Sequence, residues 1–271
     1  MNESDWLLLC EKTADKVCEE VASLKGKAIR NNIVRNYTAR SPSFQLDLAA
    51  ESAAVSILKE TLTPIVLISE EAGTKVLGEH PQALVILDPV DGSLNAVRDI
   101  PFFSVSIAIC ELADLFSIDK VRVALVKNLH SGDTYTAVRG QCALLNGHPM
   151  RPSQIYELEK SVILANSRRA PKKMLPIYDS VMGVRCLGCT SLEICNVASG
   201  SYEGFIDIRN ILGTYDVAAA SFILAQAGGT VTDPMNETLN VKPTDAAISL
   251  IASANKRVHL EIMKILKSSR V

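Results

Sequence analysis

The stretch VILDPVDGSLNAVR, Val85 to Arg98, decides how this chain is read. Its apolar start, Leu84 to Leu87, has the length and side chains of a buried strand, and it runs directly into Asp88 and Asp91, separated by Pro89 and Val90. Pro89 fixes its own φ and lacks an N–H, so the spacing predicts that the strand ends at Leu87 and the chain turns there. Two carboxylates three residues apart on such a turn can converge on one hard divalent cation or divide between two. Gly92 permits close backbone approach, and Ser93 to Val97 can begin a helix whose unpaired N–H groups form a phosphate site. A plain strand-to-helix turn remains open from this stretch alone.

Three more acidic features surround it. Ile68-Ser69-Glu70-Glu71-Ala72-Gly73 puts two carboxylates after another apolar run, where a polar loop is the ordinary explanation. Asp216 lies in the first turn of a small-residue helix, and Asp47 and Glu51 lie at the start of another; dipole compensation accounts for such positions without any ligand. Spacing does not show that these groups meet.

Periodicity supplies the frame. Helices are predicted from Trp6 to Val21, closed by Lys25-Gly26, and from Asp47 to Leu62, stopped by Thr63-Pro64. Strands follow at Ile65–Ile68, Leu84–Leu87, Ser104–Cys110, Val121–Val126 and Thr134–Val138, joined by short turns that favour antiparallel pairing. After a soft boundary at Asn146 to Ser153, strand and helix alternate: strands at Val162–Ala165, Phe205–Ile208 and Ile248–Ala252, helices at Lys172–Val181, Ser191–Ala198, Tyr215–Ala227 and Lys256–Lys267. The parts are 1–150, with most of the acidic residues, and 151–271, with Asp216, together one functional unit.

The 271 residues carry 28 Lys plus Arg against 30 Asp plus Glu, a balance that argues against a nucleic-acid binder relying on a broad basic face. Val217 to Thr232 is uncharged for 16 residues, too short for a bilayer and punctuated by Gln226, Gly228 and Gly229. With an acidic start at Asn2-Glu3-Ser4-Asp5, the chain reads as cytoplasmic, without membrane or nucleic-acid partners. Seven cysteines at uneven spacing describe no disulfide framework. Cys186 and Cys189 make a CxxC that has no second pair and no clustered histidines, so they are taken as semi-buried thiols.

Together, VILDPVDGSLNAVR and YDVAAASFILAQAGG (Tyr215 to Gly229) resemble the inositol monophosphatase superfamily of Mg²⁺-dependent phosphatases, over most of the chain from Asp47 to Gly229. Ser41-Pro42-Ser43 ahead of Asp47, and Asp207-Ile208-Arg209 ahead of Asp216, are similar to its archaeal-type branch, known for hydrolysing fructose 1,6-bisphosphate and inositol monophosphate. The resemblance implies a layered α/β/α/β/α fold, a homodimer, and two or three Mg²⁺ ions. By the same resemblance, Glu70, Asp88 and the Val90 carbonyl hold the first ion, and Asp88, Asp91 and Asp216 the second. Asp47 and Glu70 neighbour a third position. Glu71 and the Ser93 hydroxyl orient the attacking water, and the Gly92 and Ser93 N–H groups grip the phosphate. Arg185, Gly188, Cys189, Thr190 and Arg209 fall on the substrate side. Ser93 replaces the commoner Thr, Tyr215 replaces Trp, and Arg209 stands where inositol-preferring members carry Glu, so a second phosphate is its expected partner.

Six carboxylates in one cleft would repel one another without cations, and bound Mg²⁺ would both neutralise them and activate water. An aspartyl-phosphate intermediate would occupy side chains already needed as ligands. A phosphatase of nucleotide 3′-phosphates such as adenosine 3′,5′-bisphosphate shares these motifs, but only 5% of the residues are aromatic to stack a base. A non-catalytic regulatory protein keeping the fold is the rival from another class; every expected metal ligand is nevertheless present.

Overall fold

Branched apolar runs such as Ile65–Ser69 and Ser104–Cys110 carry almost no polar alternation, as strands covered on both faces require. The computed structural model describes residues 1–27, 32–35, 43–113, 116–244 and 247–268; Ser41 and Pro42 of the branch motif lie outside these. In it these runs form the middle of an eight-stranded sheet. Across that sheet lie β11 (His148–Pro149), β10 (Leu144–Leu145), β9 (Thr134–Val138), β8 (Val121–Asn128), β6 (Ser104–Cys110), β5 (Ala83–Asp91), β3 (Ile65–Ser69) and β4 (Gly73–Leu77). A five-stranded sheet runs β13 (Gly183–Arg185), β12 (Val162–Ala165), β14 (Gly204–Leu212), β17 (Ile248–Ser253) and β15 (Thr230–Thr232). Two short ladders pair β1 (Ile33–Arg35) with β2 (Ser43–Phe44), and β7 (Phe116–Ser117) with β16 (Asn240–Val241).

Helices complete five layers. α1 (Glu3–Ser23) and α2 (Gln45–Leu58) bury Trp6, Val17, Leu46 and Leu58 against one face of the large sheet. α5 (Thr190–Ala198) and α6 (Thr214–Ala227) lie between the two sheets, and their side chains share one core with both. α4 (Leu175–Ser180) and α7 (Lys256–Ser268) cover the outer face of the small sheet through Ile177, Val258 and Ile262. α6 is apolar all round because it is buried all round. A five-residue helix, α3 (Ser93–Val97), follows the acidic motif.

Three departures from the sequence reading bear on the site. The strand does not stop at Leu87: β5 continues to Asp91, and its register with β6 shifts between Asp88 and Asp91. Pro89 lies in that irregularity, where a missing N–H breaks no ladder bond, and the turn comes at Gly92 with φ 86°. Secondly, β3 and β5 are parallel, with Ser69 opposite Leu87, although short connections favoured antiparallel pairs. The intervening strand β4, exposed and polar enough to read as loop, makes this possible by folding back on β3. Thirdly, β14 runs past Ile208 to Leu212, so Arg209 lies within a strand, next to Asn210 at φ 60°. Smaller differences occur at helix ends: Asn2 caps α1 from its side chain, and Lys172–Val181 divides into a 3₁₀ turn and the short α4. None of the described helices is long and apolar enough to cross a membrane.

Buried His259 ties α7 to the small sheet: Nδ1 lies 3.0 Å from Ser253 Oγ and Nε2 lies 3.0 Å from Thr232 Oγ1. Burial pushes its pKa down to about 4, so the folded protein keeps it neutral. The unfolded chain takes up the proton below about pH 6.5, so this contribution is full above that pH and is lost progressively towards pH 4. Urea unfolding should therefore show wild type losing about 2 kcal/mol more than His259→Asn between pH 7 and pH 4.5. Identical pH slopes in the two proteins would refute this assignment.

Candidate functional site

Parallel pairing of β3 and β5 places their C-terminal ends side by side. Glu70 and Glu71, just past β3, thereby meet Asp88 and Asp91 at the end of β5. The N-terminal turns of α2 and α6 supply Asp47 and Asp216. All six carboxylates line one cavity, together with Val90, Gly92, Ser93, Gly188, Thr190 and Arg209. Glu70, Asp88 and Asp216 each bring an oxygen within 4.8 Å of the others'.

Asp47 and Asp216 each cap their helix and also line the cavity. Asp47 Oδ2 accepts the Phe44 N–H at 2.7 Å, while its Oδ1 is buried without a hydrogen-bond partner. Asp216 Oδ2 accepts the Gly213 N–H, and the same carboxylate belongs to the triad. A helix start needs only one oxygen for its cap.

Asp91 is held from α5. Its Oδ2 accepts Ser191 N–H and Ser191 Oγ–H, both at 2.6 Å, and the Cys189 thiol at 3.3 Å. Ser104 Oγ closes the network 2.7 Å from Ser191 Oγ and 3.2 Å from Cys189 Sγ. Cys189 therefore touches Asp91 and does not line the cavity; all seven cysteines are free. The strand-end loop is held by buried Glu51, whose Oε2 accepts Ser69 Oγ–H at 2.6 Å and the N–H groups of Glu71 and Ala72 at 3.1 and 3.0 Å.

Gly92 marks a close approach of the chain to the turn around Gly188. Its left-handed φ suits glycine, and a Cβ there would come within 3.1 to 3.2 Å of Cys189 Cβ, Gly188 O and Phe102 O. Ser93 Oγ–H donates to the Val90 carbonyl at 2.9 Å.

Sequence reasoning passed over several residues here. Asn95 lines the cavity and donates to Phe102 O at 2.8 Å and Leu187 O at 2.7 Å. Glu193, fully buried, accepts the Leu187 N–H at 2.7 Å and supports the turn carrying Gly188. Asn166, Arg168 and Ile211 complete the wall. An Asn beside a DG motif and a Glu inside an apolar helix are weak signals that only tertiary placement resolves. Arg185, by contrast, is exposed on edge strand β13, donates to the Val184 carbonyl at 2.9 Å, and is not in the wall. Arg209 is in the wall, but its guanidinium is turned onto buried Asp207.

The electrostatics call for cations. Burial pushes Asp47 up to about 7, against the lowering pull of the Phe44 N–H and the Ser93 hydroxyl. Burial, then the charges of Glu70, Asp91, Asp216 and Asp47, hold Asp88 well above the usual carboxylate range. Burial also raises Asp91, opposed by its bonds from Ser191 and Cys189. Asp88 Oδ2 is buried and unpaired by any hydrogen bond. An all-oxygen donor set with orphaned carboxylate oxygens fits a hard divalent metal ion.

The sequence model of the inositol monophosphatase family matches residues 6–270. The chain is 34% identical over 98% of its length to "Fructose-1,6-bisphosphatase/inositol-1-monophosphatase" of Methanothermobacter thermautotrophicus, covering 99% of that protein. It is 29% identical over 96% of its length to "Bifunctional NADP phosphatase/NAD kinase" of Methanococcus maripaludis, and spans 49% of it. The crystal structure of extragenic suppressor protein suhB from Bartonella henselae superposes with TM-score 0.84 at 25% identity, over 97% of this chain and 98% of that one.

Protons and metal compete for this cluster. A carboxyl raised in the folded state costs stability as pH rises from about 4, where the unfolded chain ionises, through its folded value, which is about 7 for Asp47. Metal binding removes that cost. The rise in melting temperature on adding saturating Mg²⁺ to chelator-treated protein should therefore be larger at about pH 8 than at about pH 5.5. A melting temperature indifferent to Mg²⁺ at both would exclude a metal site here.

Proposed function

We propose, from the premise that the chain belongs to the inositol monophosphatase family, that it is a Mg²⁺-dependent phosphatase of small sugar and polyol phosphate monoesters, fructose 1,6-bisphosphate and inositol 1-phosphate among them. The observation that carries this reading is the convergence of six carboxylates with the Gly92–Ser93 turn in one cavity. The described wall offers carboxylates, amides and arginines, which are partners for hydroxyls and phosphates rather than stacking surfaces for a base. That favours a sugar or polyol over the nucleotide alternative. A cytoplasmic homodimer belongs to the same proposal, on the strength of the family resemblance.

Glu70, Asp88 and the Val90 carbonyl would hold one ion, and Asp88, Asp91 and Asp216 a second, with Asp47 beside a third position. Bound there, Mg²⁺ lowers the pKa of water and neutralises phosphate charge. The protein's own groups do the positioning. The Ser93 hydroxyl donates its proton to the Val90 carbonyl, so towards a water it acts as acceptor through its remaining lone pairs. Glu71 accepts from the same water and holds it in line with phosphorus. The Gly92 and Ser93 N–H groups bind phosphate oxygens, and Gly188, Thr190 and Arg209 face the remainder of the substrate.

Phosphate release from a panel of fructose 1,6-bisphosphate, inositol 1-phosphate and adenosine 3′,5′-bisphosphate tests the reading; the first two should be hydrolysed in Mg²⁺ and none after chelation. Asp91→Asn keeps an oxygen to accept from Ser191 and loses only the charge, so the fold should survive while kcat falls roughly 10³-fold. A folded Asp91→Asn protein with near-normal turnover would sink the metal assignment. At position 93 the hydroxyl is the functional feature. Ser93→Ala should lower kcat more than it raises KM, whereas Ser93→Thr should turn over at a rate close to wild type. Equal losses in both would mean that shape, not the hydroxyl, matters there.

A further inference from the structure

Arg209 holds a place in the cavity wall, but its donors and its charge are already engaged. Its Nε lies 2.9 Å from Asp207 Oδ1 and 3.1 Å from Oδ2, and its Nη2 also donates to Oδ2. Nη1 donates to the Arg168 carbonyl at 3.2 Å. Asp207 is saturated in turn, accepting Arg209 N–H at 3.1 Å and Asn166 Nδ2–H at 3.2 Å. The two side chains are 12% and 0% exposed, so solvent screens this pair little and it acts as a neutral unit. A neutral pair presents an anion with a dipole, whose attraction falls off faster than that of a charge.

Arg168 differs in every respect. Its side chain is exposed, lines the same cavity, and forms no ion pair among the described residues. Its backbone is stapled in place by Arg209 through the carbonyl bond, which fixes where the side chain begins. Among the described wall residues, Arg168 and Arg209 are the cations, and only Arg168 is uncompensated. A substrate bearing a second anionic group enters a cavity crowded with carboxylates, so net positive charge has to come from the wall around them.

We propose that Arg168 is the specificity-determining residue that binds a second anionic group of the substrate, and that the Asp207–Arg209 pair is the neutral brace on which it stands. The proposal rests on the phosphatase reading above and assigns its preferred substrates as compounds with two separated phosphates. Recognition of this kind acts on binding, and it weakens as ionic strength rises.

The test compares kcat/KM for fructose 1,6-bisphosphate and inositol 1-phosphate, in Mg²⁺, for three proteins. Arg168→Gln should lower the bisphosphate-to-monophosphate ratio at least about tenfold, the loss entering through KM rather than kcat. Arg209→Gln alone would strand a buried carboxylate and lose stability, so the comparison is the double variant Asp207→Asn/Arg209→Gln, which preserves neutrality. That variant removes the brace but keeps the Arg168 charge, so its ratio should fall by less than that of Arg168→Gln. An unchanged ratio in Arg168→Gln, or a loss in the double variant as large as in Arg168→Gln, would overturn the proposal. Absence of phosphate release by wild type from either compound would count against the function proposed above and not against this inference. Calorimetric binding of fructose 1,6-bisphosphate in Mg²⁺ would then decide, with weaker binding by Arg168→Gln supporting the inference and equal affinities refuting it.

Discussion

Six carboxyl groups share one cavity, and their mutual repulsion is the constraint around which this fold is built. Burial is the largest cause raising Asp47, Asp88 and Asp91, and neighbouring charges raise Asp88 and, through Glu71, Asp47 further. Part of the cost is offset by backbone donors. Three helices direct their starts at the cluster: α2 through Phe44 N–H to Asp47, α6 through Gly213 N–H to Asp216, and α5 through Ser191 N–H to Asp91. Each delivers one backbone hydrogen bond and the positive end of a helix dipole, and α5 adds a second bond from the Ser191 hydroxyl. Asp88 Oδ2 and Asp47 Oδ1 stay buried without a hydrogen-bond partner.

The same constraint explains otherwise odd features of the sheets. Parallel strands are less common neighbours than antiparallel ones, and among the described residues β3 with β5 is the one parallel pair in the large sheet. Only parallel pairing puts two strand ends side by side, and so sets Glu70 and Glu71 against Asp88 and Asp91. The register shift after Asp88 keeps β5 attached to β6 while its carboxylates turn to the cavity. Gly92 then reverses the chain at a left-handed φ, where a Cβ would crowd Cys189, Gly188 and Phe102. Buried Glu51 and Glu193 act at one remove, each holding backbone N–H groups of the loops that carry the wall.

Much of this was legible in the chain, because the strongest signals were local. Apolar runs announced β3, β5, β6, β8 and β17, and Gly228-Gly229 announced the end of α6, where Gly228 caps at φ 99°. The acidic set was legible only as a resemblance, since no spacing rule says that Asp47 and Asp216 meet. Where the reading stopped, the missing information was tertiary. Polar β4 resembles a loop until it pairs with β3, and a lone thiol at 189 means nothing until Asp91 lies 3.3 Å away. Arg185 suited the motif, yet its side chain folds back on its own strand.

Arg209 shows how a single position can mislead when its partner is out of view. From sequence, Arg where relatives carry Glu suggests a simple exchange of one cavity charge for another. In the folded chain Asp207, two residues away on β14, has a fully buried carboxylate that depends on that guanidinium. Asp207 and Arg209 lie two apart on one face of β14, within reach of the long arginine side chain. Glu at 209 would set two carboxylates against each other with one of them out of reach of solvent, so it requires a compensating change at 207. On the proposal above, substrate preference in this wall belongs to Arg168, and the pair's part is to anchor its backbone. An exchange at 209 alone alters stability before it alters specificity.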